Sequence, residues 1–366
     1  PLLGCTRSPP PAPPAAPRPD IILISLDTVR ADQAPGPGGP GGMPQFAAFA
    51  ASGVRFDQAW APASNTLVSH GSLFTGLDPS QHAFHPGTVP LQPPPLMPLL
   101  REAGYSVGVF TTLPVWLGTT HRFDAGAHAF RSELVPGSTA IGWVGDWLAS
   151  APPRPLALFV HLYDAHSDTN RLPYESPSPP VGSFDGCVGE LCASRLLRAL
   201  DEGKVELPPG AAEGIRSQYA AGVSATDALL GELLTMLEPI GPNAFIAVFS
   251  DHGELLGEEG WLHHGSHPAV LDIPLAARWP AGGPAGLVSQ TPVSLVDLFP
   301  TVLEVAGLSR EGRPGLQQLI DGPATRRIEA MGATRGGQRM VYITREGSPA
   351  GLERGEDGVW RPAPAD

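Results

Sequence analysis

Two hydrophobic patterns alternate along this chain. Short apolar runs occur at 21–26, 155–162 and 244–249, and between them lie stretches with apolar residues three and four apart. A run that is apolar on consecutive positions fits a strand covered on both faces, as in a parallel sheet. DIILISLDTVRAD (20–32) therefore predicts a strand ending at Asp27. MPQFAAFAASG (43–53) predicts a helix with a glycine stop, and VRFDQAWA (54–61) a short strand. LVSHGSLFTG (67–76) reads as a helix ending at Gly76. PPLMPLLREAGYSVGVFTT (94–112) reads as helix, glycine turn and strand. PLALFVHLYDAH (155–166) and AFIAVFSDHGE (244–254) predict two further strands. The longest helical pattern spans 214–241, and another helix is predicted within 295–308. Beyond 309 the chain is glycine-rich and irregular, with one strand expected at 338–347. This alternation predicts an α/β fold with a mainly parallel sheet.

Composition adds long ordered loops to that scaffold, because 44 glycines and 44 prolines occur in 366 residues. A hydrophobic share of 42% is enough for a substantial core. The net charge of −13 excludes a general nucleic-acid binder, which carries a basic face. It leaves room for a small anionic substrate, since a bound cation reverses the local field. No run of about 18 apolar residues occurs, so no membrane-spanning helix is predicted. PLLGC ahead of TRSPPPAPPAAPRP instead resembles the end of a bacterial lipoprotein signal, with Cys5 as the lipidated residue. The alternative is a proline-rich tail with a chance cysteine. The lipoprotein reading implies export to the periplasm or cell surface, with membrane attachment through Cys5. Cys187 and Cys192 can form a disulfide closing a small loop in an exported protein. Residues 1–19 are expected to be a linker, 20–310 a catalytic domain, and 311–366 a smaller C-terminal subdomain or tail. Nothing in the sequence sets the oligomeric state.

Chemistry gathers where the predicted strands stop. Asp27, His166 and the Asp251–His252 pair each follow an apolar strand. In open α/β sheets such carboxyl ends form one crevice. Two carboxylates and an imidazole suit a divalent cation, and the imidazole tilts the choice toward Mn²⁺ or Zn²⁺ over Ca²⁺ or Mg²⁺. Thr66 opens a helix after the strand-to-helix turn in APASNT (61–66), a position where Ser and Thr commonly cap helices. Beside a divalent cation the same hydroxyl can lose its proton and become a nucleophile. Free N–H groups at the helix start would hold an oxyanion.

Five segments, in order, resemble the sulfatase-like branch of the alkaline phosphatase superfamily over residues 20–310: DIILISLDTVRAD, TLVSHGSLFTG, FVHLYDAH, SDHGE with the HHG that follows it, and VSLVDLFPTVLEVAGL. The resemblance implies a central mixed sheet flanked by helices, with a smaller C-terminal subdomain. It places Asp27, Asp251 and His252 as metal ligands and Thr66 as both nucleophile and ligand. It makes His166 a substrate-side and leaving-group histidine. It gives His264 a catalytic position facing the nucleophile, with His267 as the rival in that loop and a substrate-binding candidate. One cation is expected and two are possible, with His264 and His267 as ligands of a second. The chain also departs from the family. Sulfatases carry a Cys or Ser that becomes formylglycine, within Cys/Ser-x-Pro-x-Arg; Thr66 cannot form that aldehyde, and Val68 and His70 replace Pro and Arg. Thr28 stands where a second Asp is common. His70 is left between substrate binding and capping the turn. A threonine nucleophile resembles phosphoesterase and phosphotransferase members, so a metal-dependent phosphate-ester hydrolase or transferase is expected. A sulfate-ester hydrolase working without formylglycine and a non-catalytic binding protein are the alternatives. Glu254 and Glu258 are expected to be solvated loop carboxylates, and Asp297 a helix start.

Overall fold

The computed structural model describes residues 18–34, 42–92, 94–166, 211–258, 262–263, 265–322, 326, 328–334, 337–343, 349–354 and 360–362. Strand β1 (Asp20–Leu26) is central, pairing in parallel with β6 (Leu156–Leu162) on one side and β7 (Ala244–Ser250) on the other. Every residue of these three strands is buried, which is why their sequences are apolar on both faces. Parity then sorts the side chains. Ile21 and Leu23 join one core with Phe159, Phe245 and Phe249. Ile22, Ile24 and Leu26 join the opposite core with Val160, Ile246 and Val248. Each such side chain contributes about 1.5–3 kcal/mol by leaving water, so the strand ends are held on a stiff support.

Beyond β6 the sheet continues through β4 (Ser106–Thr111) and β5 (Ala129–Ser132), both parallel. Beyond β7 come β10 (Leu275–Arg278), β2 (Val54–Phe56) and β11 (Leu287–Ser289). The β10 strand is antiparallel to both β7 and β2, whereas β11 is parallel to β2. The order is therefore β11-β2-β10-β7-β1-β6-β4-β5, a mostly parallel mixed sheet. Two small pairs flank it: β3 (Ala59–Trp60) with β12 (Val293–Ser294), and β8 (Leu255–Leu256) with β9 (Leu262–His263).

Helices α1 (Pro44–Ala51), α5 (Gly137–Ala149) and α6 (Ala211–Leu237) cover one face through residues such as Phe46, Ile141 and Leu230. The other face is covered by α2 (Thr66–Thr75), α3 (Leu96–Glu102), α4 (Pro114–Leu117), α8 (Leu298–Val305) and α9 (Leu316–Leu319). The four-residue α7 (Pro268–Leu271) follows the β8–β9 pair. Within α6, Arg216–Leu237 is long and apolar enough by composition to cross a membrane. Its Tyr219, Val223, Leu230, Leu233 and Leu237 lie in the core, as expected of a helix packed on a sheet.

The C-terminal region differs from its expected irregularity. Four antiparallel strands form a second sheet: β13 (Ile328–Thr334), β14 (Gly337–Ile343), β15 (Pro349–Arg354) and β16 (Trp360–Pro362). Glycines and two prolines interrupt the alternation in these strands and hide it from a periodicity reading. The first of them is tied to the main body. The amide of Ser64 donates to the Met331 carbonyl at 2.9 Å, and the amide of Met331 donates to the Pro62 carbonyl at 2.8 Å. The second sheet thus abuts the turn that leads into α2.

Candidate active site

Asn65, not a serine or threonine, caps α2. Its side chain accepts from the amides of Leu67 at 3.1 Å and Val68 at 3.4 Å. Thr66 is the first helical residue, so its hydroxyl is released from capping. Gly76 closes the helix in the left-handed conformation, with φ of 67°. Neither Ser69 nor Ser72 serves the helix start. Ser69 donates to the Asp251 carbonyl at 2.7 Å, and Ser72 bonds His82 Nε2 at 2.9 Å.

The structure brings Asp27, Thr66, Asp251 and His252 together at the carboxyl ends of β1 and β7. Thr66 Oγ1 lies 3.3 Å from Asp27 Oδ2 and 3.3 Å from His252 Nε2. One ligand atom from each of Asp27, Asp251 and His252 lies within 4.8 Å of the others. His252 Nδ1 bonds the Gly253 carbonyl at 2.8 Å, so Nδ1 carries the proton and Nε2 turns a lone pair inward. Asp27 Oδ1 and Asp251 Oδ2 are buried without a hydrogen-bond partner. Two inward carboxylate oxygens and an imidazole lone pair, all desolvated, fit a divalent cation. Burial pushes the Asp27 carboxyl well above its ordinary value, and the nearby Asp251 charge pushes it further. Burial also raises Asp251, yet His252, His70 and His161 outweigh it and hold Asp251 below its ordinary value. His252 is raised: burial lowers it, but Asp251 and Asp27 more than compensate.

The loops carrying these groups are locked. Thr28 takes a φ of 56°, which costs a β-branched residue about 1–3 kcal/mol. Its amide donates to Asp251 Oδ1 at 3.2 Å, and its carbonyl accepts from the Tyr219 hydroxyl at 2.7 Å. The same hydroxyl accepts from the Arg30 amide at 2.9 Å. Arg30 then pairs with Asp32 at 2.7 Å and with Glu258 at 2.8 Å. After β7, Gly253 leaves no room for a side chain: a Cβ there would stand 2.3 Å from the Ala269 carbonyl oxygen.

Other expected residues fall elsewhere. His70 is enclosed at 0% exposure beneath α2, bonding the Thr66 carbonyl at 2.8 Å and Ser25 Oγ at 3.0 Å. Both of its nitrogens are thus engaged at the start of α2. His166 sits on the turn after β6, partly exposed, with its ring stacked 4.3 Å from Tyr163. His267 caps α7, its Nδ1 accepting from the Ala269 amide at 3.1 Å, which leaves Nε2 as a donor. His264 lies outside the described residues, as do Trp261, Cys5, Cys187 and Cys192. Glu254 is 1% exposed and Glu258 is in an ion pair, so neither is a solvated loop carboxylate. Asp297 begins α8 as expected and also pairs with Arg326.

One residue at the centre went unseen in the sequence. His161 Nε2 lies 2.9 Å from Asp27 Oδ2, and both side chains are fully buried. Its signal was a lone polar residue inside the run LALFVHL.

Burial holds His70 and His161 down to about 4. The sign of the consequence is fixed: between pH 6.5 and 4 the unfolded chain takes protons that these folded rings refuse, so they cost stability on acidification. The size is on the order of 3 kcal/mol per ring over that window. Asp27 and His252, whose folded values are raised, act in the opposite sense in the metal-free protein. The measurement is therefore a difference. Urea melts between pH 7 and 4.5 should show a shallower acid loss in a His70→Gln variant than in wild type; equal slopes would contradict it.

Comparison with known proteins identifies the family. The family model described as Sulfatase matches residues 19–133 and 140–308. A sulfatase of Formosa agariphila is 28% identical over 212 residues, covering 54% of this chain and 41% of that protein. Arylsulfatase K of Canis lupus familiaris is 38% identical over 303 residues, covering 68% of this chain and 53% of that protein. The chain thus spans about half or less of these curated relatives. Among solved structures, a protein in complex with its substrate D-glucosamine-2-N,6-O-disulfate superposes with a TM-score of 0.70 at 18% identity, over 94% of this chain and 90% of that one. The phosphonate monoester hydrolase of Agrobacterium radiobacter gives 0.64 at 17% identity, over 91% and 89%. The chain belongs to the sulfatase family.

Proposed function

We propose that the chain is a metal-dependent hydrolase or transferase of phosphate esters with Thr66 as nucleophile. The observation that supports this most is the Thr66 hydroxyl, freed from capping by Asn65 and 3.3 Å from both Asp27 Oδ2 and His252 Nε2. Asp27, Asp251 and His252 would hold a divalent cation, Mn²⁺, Zn²⁺, Ca²⁺ or Mg²⁺, with Thr66 completing the set. When bound, that ion would lower the hydroxyl's pKa and neutralise charge on the ester oxygens. Thr66 Oγ1 forms a bond to phosphorus as the ester P–O bond breaks, and its proton passes to Asp27 Oδ2. His166 or His264 gives a proton to the departing alkoxide, and His267 offers Nε2–H to the ester oxygens. Water, or an acceptor alcohol, then attacks the phosphoryl-threonine and gives its proton to His166 or His264, while Asp27 Oδ2 returns its proton to Thr66 Oγ1 as the Thr66 O–P bond breaks.

Phosphorus is preferred over sulfur because a threonine cannot become the formylglycine aldehyde. The fold's likeness to a phosphonate monoester hydrolase is consistent with that choice. A small anionic ester is the substrate class. We also retain, as a proposal, an exported protein anchored through Cys5. The test is turnover of p-nitrophenyl phosphate, bis-p-nitrophenyl phosphate, p-nitrophenyl phenylphosphonate and p-nitrophenyl sulfate, with metal content measured alongside. A phosphorus ester should be preferred. Preference for the sulfate would overturn the reading.

A further inference from the structure

Three observations single out His161. It is the polar residue inside an otherwise apolar buried strand, where an imidazole carries a desolvation cost that an aliphatic side chain would not. Its Nε2 contacts Asp27 Oδ2 at 2.9 Å, a distance for a direct hydrogen bond. The other oxygen of the same carboxylate, Oδ1, is buried with no hydrogen-bond partner, and Asp27 is one of the three residues that converge with Asp251 and His252.

An ionised carboxylate only accepts hydrogen bonds, so the contact requires the proton of His161 on Nε2. We propose that His161 is a positioning residue for Asp27: its Nε2–H holds Oδ2, fixes the rotation of the carboxylate, and directs Oδ1 at the cation. This rests on the metal reading of the preceding subsection. The strand geometry supports it. His161 on β6 is in register with Ser25 on β1, two residues before Asp27, and the Asp27 amide donates to the Leu162 carbonyl at 2.9 Å. The two residues are therefore fixed to each other by the backbone as well as by the side chains.

A rival use of the same ring is as ligand to a second ion with His70 and Asp251, whose ligand atoms also lie within 4.8 Å of one another. His70 argues against it. Its Nδ1–H donates to the Thr66 carbonyl and its Nε2 lone pair accepts from the Ser25 hydroxyl, so ligation through either nitrogen would break one of these buried bonds.

Replacing an outer residue that orients a metal ligand lowers metal affinity by roughly 10- to 100-fold. The experiment is calorimetric titration of the full chain with whichever of Zn²⁺, Ca²⁺ and Mg²⁺ binds wild type most tightly. His161→Leu should weaken binding by roughly 10-fold or more. His161→Gln, whose amide can donate to Asp27 in the same place, should recover most of the loss. Circular dichroism of the metal-free variants verifies folding. Wild-type affinity in His161→Leu would overturn the inference while leaving the metal reading intact. An equal loss in a folded His161→Gln would overturn it too, since bulk rather than the hydrogen bond would then matter. No binding by wild type would remove the metal reading itself. If His161→Leu does not fold, ¹⁵N NMR of His161 in the cation-loaded wild type decides: an Nε2–H tautomer supports the inference and an Nδ1–H tautomer overturns it.

Discussion

Replacing Thr66 with alanine should lower kcat/KM for the preferred phosphorus ester by roughly 10³-fold or more, as loss of a nucleophile does elsewhere. That is about 4 kcal/mol of transition-state stabilisation. The protein should remain folded. Thr66 is the first residue of α2, where alanine is a better helix former, and the cap is supplied by Asn65 rather than by the threonine hydroxyl. Cation binding should persist in weakened form, because Asp27, Asp251 and His252 still converge. Thr66→Ser should keep most of the activity, since it keeps the hydroxyl. Steady-state kinetics of the three proteins, with a melt of each, settles the matter. A Thr66→Ala enzyme within a few-fold of wild type would remove the threonine from the chemistry.

Asp27→Asn should have opposite effects on binding and on stability. Removing one charge of a buried set costs about 3 kcal/mol, so cation affinity should fall by roughly 100-fold. The metal-free protein, by contrast, should become more stable at neutral pH. Burial and the Asp251 charge hold the Asp27 carboxyl above its ordinary value in the fold. An acid raised in this way is penalised in the folded state as pH rises above its unfolded value, and the amide removes that penalty. The amide still offers an oxygen to His161 Nε2, so the local hydrogen bond survives. Cation binding by wild type should strengthen with rising pH, because the ion competes with protons on Asp27 and His252. Metal-free melts and cation titrations of both proteins test this. A metal-free variant that melts below wild type would contradict the stored electrostatic cost.

The scaffold was legible wherever burial is two-sided. The runs at β1, β6 and β7 read directly as central strands because no polar face interrupts them. Their ends located Asp27, Asp251 and His252, and the glycine of FTG located the end of α2. The C-terminal strands were hidden because glycines and two prolines dilute their alternation. His161 was hidden for a different reason. An apolar run fixes that a residue is buried but not what it meets, and the meeting with Asp27 is made by the parallel pairing of β1 with β6. The same holds for Ser69, which looks like a capping residue in sequence yet donates across to the Asp251 carbonyl. His70 occupies the motif position of an arginine, and its buried bond to Ser25 follows from the packing of α2 on β1, which the motif does not reveal.

The most direct test of the threonine nucleophile is peptide mass spectrometry of protein quenched in acid during turnover of the preferred phosphorus ester, with Thr66→Ala treated in parallel. A phosphorus-bearing group on Thr66 in wild type, absent from the variant, is the expected result. Such a group on any other side chain, or undiminished turnover by Thr66→Ala, would contradict it.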